Sequence, residues 1–591
     1  MIVLLAAAAL ATPSFDPTTT DAVFAGAEVY DATGSIQLWS RIERHVDSDP
    51  ALFAAGEFNT VTAWADNTAF APWIGTCFGS GTPDGSAFLL HEGVRAATAS
   101  GTPILFVPGA GDNASRGFVT MATRMDLSGR PVYALTFSHP HGDVFEQAEI
   151  IADAIARIRE RTGAPEVDVV SHSKGGISVA IYLSHHAAAD WGDTRYEAVG
   201  THYRGDVRRA VFIATPLGGI DTGYRWPLAN LIGTSADTAY APSSWRTYYP
   251  YTTSVPGIAT DLREQDFLPS SGDLFPGQRQ LLLRQDYAVP GSLPWLGAYA
   301  LQPDWYTTYE GGYGYYSYSD GIDAAIEAGG NVIDRVTATG VDPSVDLYVL
   351  AGQNPLMPNG TEDLLVSFFG AEWVDIATAG VDVWSSLVAD ATGDGLISAG
   401  ITDDEVHGLS SGDLILGEIS GPSDGLVFVT SATAGDRLTA RGAEVVETYV
   451  ANLSHLDLLY ASPITGSLLI AEAEADPLEN RWMAAVGARY IEADTLGWVE
   501  RVLADEVVDT GGDTGGDTDT DTDTDTGGDT EEDTDAPDDT GPVVDTDTGD
   551  DAPKPDEEGC GGGCAAPGQP GGAGTLALAL AGRALARRRR A

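Results

Sequence analysis

Positive charge is what this sequence lacks most. Its 591 residues carry 31 Lys and Arg against 86 Asp and Glu, a formal net charge of −55. Lysine occurs only at Lys174 and Lys554. Neutralising phosphate needs a basic surface, so this composition excludes nucleic acid as a partner. The excess acid extends beyond the C-terminal tail. It reads as an acid-rich, arginine-biased genome rather than a surface for a cationic partner. Cysteine is almost as scarce, with Cys77, Cys560 and Cys564 only. That excludes a disulfide framework in the part of the chain able to fold. No apolar run reaches the roughly eighteen residues that an ordinary transmembrane helix needs. What is present is 43% hydrophobic residues, enough for a core, in a chain long enough for a large domain with segments to spare.

The two ends differ from the middle. Residues 1–11, Met1-Ile-Val-Leu-Leu-Ala-Ala-Ala-Ala-Leu-Ala11, are apolar and end in an A-x-A-like step. They resemble a secretory signal peptide cleaved near Thr12, although no Lys or Arg precedes the apolar stretch. A buried N-terminal strand is the alternative. Residues 506–558 contain the run from Asp509 to Thr548, built from Asp-Thr and Gly-Gly-Asp-Thr units. Such a segment buries too little to offset chain entropy, and its like charges repel. A disordered, extended linker is expected, with calcium binding by the run as the alternative. Residues 559–591 follow, with Cys560-Gly-Gly-Gly-Cys564, the apolar stretch Thr575 to Leu580, and Arg587 to Arg590. Read as zinc ligands, the two cysteines lack partners. The order cysteine motif, apolar stretch, arginine cluster resembles the MYXO-CTERM sorting signal of myxobacteria. That resemblance implies a protein held at the cell surface or released from it.

Residues 12–99 read as an N-terminal extension of mixed pattern, and residues 100–505 as the main domain. From residue 100, apolar strands alternate with helices, which predicts an α/β fold: a mostly parallel sheet with helices on both faces. The strands expected are Ile104–Val107, Val132–Phe137, Val167–Val170, Ala210–Ala214 and Leu347–Ala351. Glu146 to Arg161 carries Ile150, Ile151, Ala154, Ile155 and Ile158 at helical spacing and stops at Gly163 and Pro165. Residues 217–345 are rich in aromatics, among them Trp245, Tyr248, Trp305, Tyr309 and Tyr315. An insertion of that length suits a cap over a site for an apolar or polymeric substrate, or a packed accessory subdomain.

The chemistry centres on Ser171-His172-Ser173-Lys174-Gly175, between an apolar strand and the apolar helix expected from Ile177 to Leu183. A strand–turn–helix elbow exposes a nucleophile and demands small residues two before and two after it. Here those are Ser171, where glycine is usual, and Gly175. A serine hydroxyl needs a base to take its proton, and the base needs an acid to orient it. Both candidates follow the fifth strand in the order Ser, Asp, His: Asp424 in Ser423-Asp424-Gly425, then His455 in Ser454-His455-Leu456-Asp457. His139, His141 and His407 fit that order badly, and His172 is too local. Preorganised backbone N–H groups for an oxyanion are assigned to Ala110, in Val107-Pro108-Gly109-Ala110-Gly111, and to Lys174 through its backbone. The Lys174 side chain is a candidate for steering acidic or polar substrates.

At these residues the chain resembles secreted bacterial lipases, and more loosely the lipase class 2 group, of the α/β-hydrolase fold. The segment Pro103 to Ala114 also resembles extracellular polyhydroxyalkanoate depolymerases. The resemblance is carried by short motifs spread over residues 100–465, including Ala214-Thr215-Pro216-Leu217-Gly218-Gly219. It implies a secreted or surface-attached serine hydrolase of carboxylic esters, a lipase or esterase acting on an ester or lipid substrate. A polyester depolymerase or acyltransferase is one alternative. A non-catalytic surface binding protein on the same scaffold is another. No cofactor is required, but a structural calcium is compatible with the lipase pattern. Asp457 falls on one ligand position, and Asp404 or Asp403 lies where a second belongs. Asp390 to Ile401 resembles half an EF-type loop.

Overall fold

In the computed structural model the described residues are 19–25, 39–46, 77–79, 87–110, 112–114, 117–138, 142–184, 202–221, 276–287, 323, 326–327, 329–357, 414–415, 421–475 and 481–505. Short β-branched and apolar runs set the middle of the sheet. In chain order the strands are β1 (Thr19–Ala25), β2 (Trp39–Val46), β3 (Phe88–Gly93), β4 (Ile104–Val107), β5 (Val132–Phe137), β6 (Val167–His172), β7 (Val207–Ile213) and β8 (Asp346–Gly352). They are followed by β9 (Leu356–Met357), β10 (Leu414–Ile415) and β11 (Glu444–Ala451). Nine of them form one sheet in the order β1-β2-β3-β5-β4-β6-β7-β8-β11, and β9 pairs with β10 apart from it. From β5 to β11 every pairing is parallel. β1, β2, β3 and β5 pair antiparallel. The five strands expected from sequence all lie in the parallel part.

Every residue of β4, β5 and β6 is buried. That is what a sheet covered on both faces requires of its central strands. Alternate side chains feed two cores. Ile104 and Phe106 enter one with Met121, Trp498 and Val499, whereas Leu105 and Val107 enter the other with Ile151, Ile155 and Val179. The first core is roofed by α1 (Val119–Leu127). The second is covered by α2 (Val144–Thr162), α3 (Lys174–Leu183) and, beyond the short α4 (Pro276–Gln280), α5 (Val332–Thr339). After α6 (Val429–Ala432), the chain closes with α7 (Pro463–Ala475), α8 (Arg481–Ala493) and α9 (Thr495–Leu503), the last two on the α1 face. The architecture is that of the α/β-hydrolase fold, with β6 near the middle of the sheet and helices on both faces.

α2 shows how local chemistry sets the boundaries. Its N-cap, Asp143, accepts from the Phe145 N–H at 2.8 Å, and Gly163 ends it at φ 73°, where only glycine is unstrained. One expectation needs adjusting. Residues 12–99 are more than an appendage, because they supply β1, β2 and β3 to the same sheet. Most of the expected cap, the signal-like segment 1–11, and the linker and sorting-like segment 506–591 lie outside the described residues.

Candidate active site

The elbow forms where it was expected. β6 ends at His172, α3 begins at Lys174, and Ser173 between them has φ 51° and ψ −130°. A positive φ is strained for a residue with a Cβ, and it persists only where surrounding structure enforces it. Here the Ser173 N–H is tied to the Ile213 carbonyl of β7 at 2.8 Å. Gly175 faces the end of β4, where a Cβ would overlap the Pro108 carbonyl oxygen. Ser171 replaces the usual glycine without penalty, because its buried hydroxyl donates to the Val211 carbonyl at 3.0 Å. Ser173 alone of Ser171–Gly175 is partly exposed.

Acid and base meet at the same end of the sheet. His455, in the loop after β11, donates from Nδ1 to Asp424 Oδ2 at 2.8 Å. Both side chains are buried. The second carboxylate oxygen of Asp424 accepts the N–H groups of Leu426 (2.9 Å) and Val427 (2.7 Å). Its carbonyl accepts the His455 N–H at 2.9 Å. The acid is therefore pinned by its own turn and aimed at one imidazole nitrogen, leaving Nε2 as the base. No described hydrogen bond joins Ser173 Oγ to that Nε2. Their neighbourhood is defined through His172, whose ring centroid lies 4.7 Å from that of His455. Catalytic contacts of this kind are commonly long before substrate binds.

The loop after β4 runs alongside the nucleophile. A Cβ on Gly109 would lie 2.9 Å from Ser173 Cβ and 3.0 Å from His172 Nδ1. The adjacent Ala110 N–H and the Lys174 N–H, first of α3, donate to no carbonyl among the described residues. Both amides belong to residues that adjoin Gly109 or Ser173 in the chain. The Lys174 side chain does not face substrate. It is fully buried, its Nζ donates to Gln147 Oε1, and its stem packs under Gly277 of α4. Burial pushes its amine down to about 7, against the opposing pull of Asp143 and Glu146. Substrate steering by Lys174 is thus corrected to an internal contact: a long cation enclosed on all sides reaches no ligand.

Asp457 also has an internal use. Tyr490 of α8 donates to its Oδ1 at 2.6 Å and Ser454 to its Oδ2 at 2.8 Å. Burial pushes its carboxyl up, against those hydrogen bonds. A carboxylate engaged on both oxygens by hydroxyl donors is a poor fit to a calcium ligand, and it instead braces the loop that carries His455. Among the described residues no group of three or more His, Cys, Asp or Glu gathers as a metal site. Asp403, Asp404, Asp390 to Ile401, and the competing histidines His139, His141 and His407 lie outside the described residues. Sequence reasoning missed Tyr490 and the contact made by His172. Nothing local marks them, because their partners stand 33 and 283 residues away.

No protein-family pattern and no curated protein matches the chain. Similar solved structures include the Bacillus licheniformis lipase BlEst2 in its propeptide form, at 15% identity over 61% of this chain, TM-score 0.26. The chain spans 47% of that structure's length. The mature form of BlEst2 is matched at 17% identity over 63% of this chain and 91% of that one, TM-score 0.24. EstA from Clostridium botulinum is matched at 12% identity over 61% and 84%, TM-score 0.29. The fold assignment rests on the strand order and the elbow, not on these likenesses.

Proposed function

We propose that this protein is a serine hydrolase of carboxylic esters, of lipase or esterase type. The observation that carries the reading is the buried Asp424–His455 pair, 2.8 Å apart, at the end of the sheet where Ser173 sits strained and partly exposed.

In this mechanism His455 Nε2 takes the Ser173 hydroxyl proton as Oγ bonds to the ester carbonyl carbon. The carbonyl oxygen becomes an oxyanion and accepts from the Ala110 and Lys174 N–H groups. Asp424 stabilises the imidazolium. Collapse breaks the bond to the alcohol, which leaves with the proton from Nε2. Water then attacks the acyl-enzyme, giving its proton to Nε2. The second collapse releases the carboxylic acid and returns the proton to Ser173. A secreted or surface-attached site of action, expected from the two ends of the chain, belongs to the same proposal, and so does an ester or lipid substrate.

The test is active-site labelling. A fluorophosphonate should label the wild-type protein on Ser173 and leave Ser173→Ala unlabelled. Labelling that persists in Ser173→Ala overturns the nucleophile. No labelling, with no hydrolysis of triglyceride, short p-nitrophenyl ester or polyhydroxybutyrate, would favour a binding protein on a hydrolase scaffold.

A further inference from the structure

We propose that His172, the residue before the nucleophile, is a positioning residue for the general base, holding His455 through its main chain. This inference rests on the triad reading above and adds a fourth side chain to it. His172 Nε2 lies 3.1 Å from the His455 carbonyl oxygen. A carbonyl only accepts, so Nε2 carries the ring proton and Nδ1 carries the lone pair. That Nδ1 is buried and has no partner among the described residues, facing Gly109 instead. An orphaned buried nitrogen is costly, and its ring is nonetheless kept in the tautomer that serves His455.

The effect is a two-sided clamp. The His455 N–H is held by the Asp424 carbonyl at 2.9 Å, its carbonyl by His172, and its ring by the Asp424 carboxylate. Ser173 follows His172 directly, so the nucleophile and base loops are joined by one hydrogen bond from the neighbouring residue. The buried His172 ring meets Phe118 edge-on, 6.4 Å between centroids. Burial, and next the proximity of His455, push His172 well below the usual histidine range. It therefore stays neutral beside an imidazole that becomes cationic during turnover. A charged neighbour 4.7 Å away would oppose that step.

Two variants separate this role from packing. His172→Phe keeps an aromatic ring and removes the N–H. His172→Gln keeps a donor near the position of Nε2. With wild type as control, the second-order rate of fluorophosphonate labelling, kcat and KM are measured on a short ester, with Tm for each protein. In His172→Phe, kcat and labelling should fall about 10–100-fold with KM within about twofold, since a small misplacement of the base costs that much. His172→Gln should recover most of the loss. Equal losses in both variants, or none in His172→Phe, overturn the inference. Absence of labelling in wild type would instead strike the triad reading itself. Should neither variant fold, ring-nitrogen NMR of the native protein decides: an Nε2–H, neutral His172 from pH 5 to 8 supports the clamp, and an Nδ1–H or protonated ring overturns it.

Discussion

Two buried histidine–carboxylate pairs lie among the described residues, and their surroundings differ. At the antiparallel edge, His45 Nε2 contacts Glu43 Oε2 at 3.1 Å, both buried on β2. Glu43 is also gripped by Arg157 at 2.8 Å, Arg41 at 2.6 Å and Arg161 at 3.4 Å. At the end of the parallel strands, His455 contacts Asp424, whose other oxygen meets only backbone N–H groups. Three guanidinium groups share the Glu43 carboxylate with His45. Among the described ion pairs Asp424 has no arginine and meets only His455. Orientation differs as well. Asp424 takes Nδ1 and leaves Nε2 for chemistry, whereas Glu43 takes Nε2 and leaves a buried Nδ1 without a partner among the described residues. The two pairs thus differ in how many cations share the carboxylate and in which ring nitrogen it engages.

The largest effect that tests this contrast is on activity. Asp424→Asn should lower kcat about 10⁴-fold, because the amide favours the wrong tautomer. Glu43→Gln should leave kcat within about twofold yet cost up to about 3 kcal/mol of stability, because three partly buried arginines lose a buried carboxylate partner. Assays of ester hydrolysis and denaturant unfolding on both variants check this, and a large activity loss in Glu43→Gln breaks the comparison. A smaller loss, about 100-fold, is expected of Gly109→Ala, whose new methyl group would press on Ser173 and His172. The burst of acyl-enzyme formation is the measurement.

The smallest effect concerns buried cations. At the edge, Arg157 is raised by its hydrogen bonds to Glu43 despite burial. At the site, Lys174 meets the neutral Gln147 amide and sits at about 7. Its unfolded value is about 10.4, so between pH 7 and 10 the folded state binds fewer protons and stability rises with pH. Lys174→Met removes that slope. Its unfolding free energy relative to wild type should be most favourable at pH 7 and below, and should decline towards pH 10. A constant difference across that range would refute the assignment.

Much of the frame was legible because the central parallel strands carry short apolar runs, such as Ile104–Val107, buried on both faces of the sheet. The antiparallel edge was not. β2 reads Trp39-Ser-Arg-Ile-Glu-Arg-His-Val46 and β3 buries His91 and Glu92, so their sequences look like exposed loop. β11 carries Glu444, Glu447 and Thr448 and escaped notice for the same reason. Ser173, Asp424 and His455 were legible as an ordered set of residue types. The His172 clamp, the Tyr490 brace and the burial of Lys174 depend on tertiary contacts that no local spacing encodes.

The strand order also has a consequence for biosynthesis. β6, with the nucleophile, pairs with β4 and β7, all made in the first half of the chain. Asp424 and His455 flank β11, which reaches the sheet only by pairing with β8, Glu444 opposite Asp346. Closing so distant a pair comes at high entropic cost and late. A chain interrupted before β11 carries the elbow without its base. On the proposed mechanism, hydrolytic competence would then arise only when that strand docks.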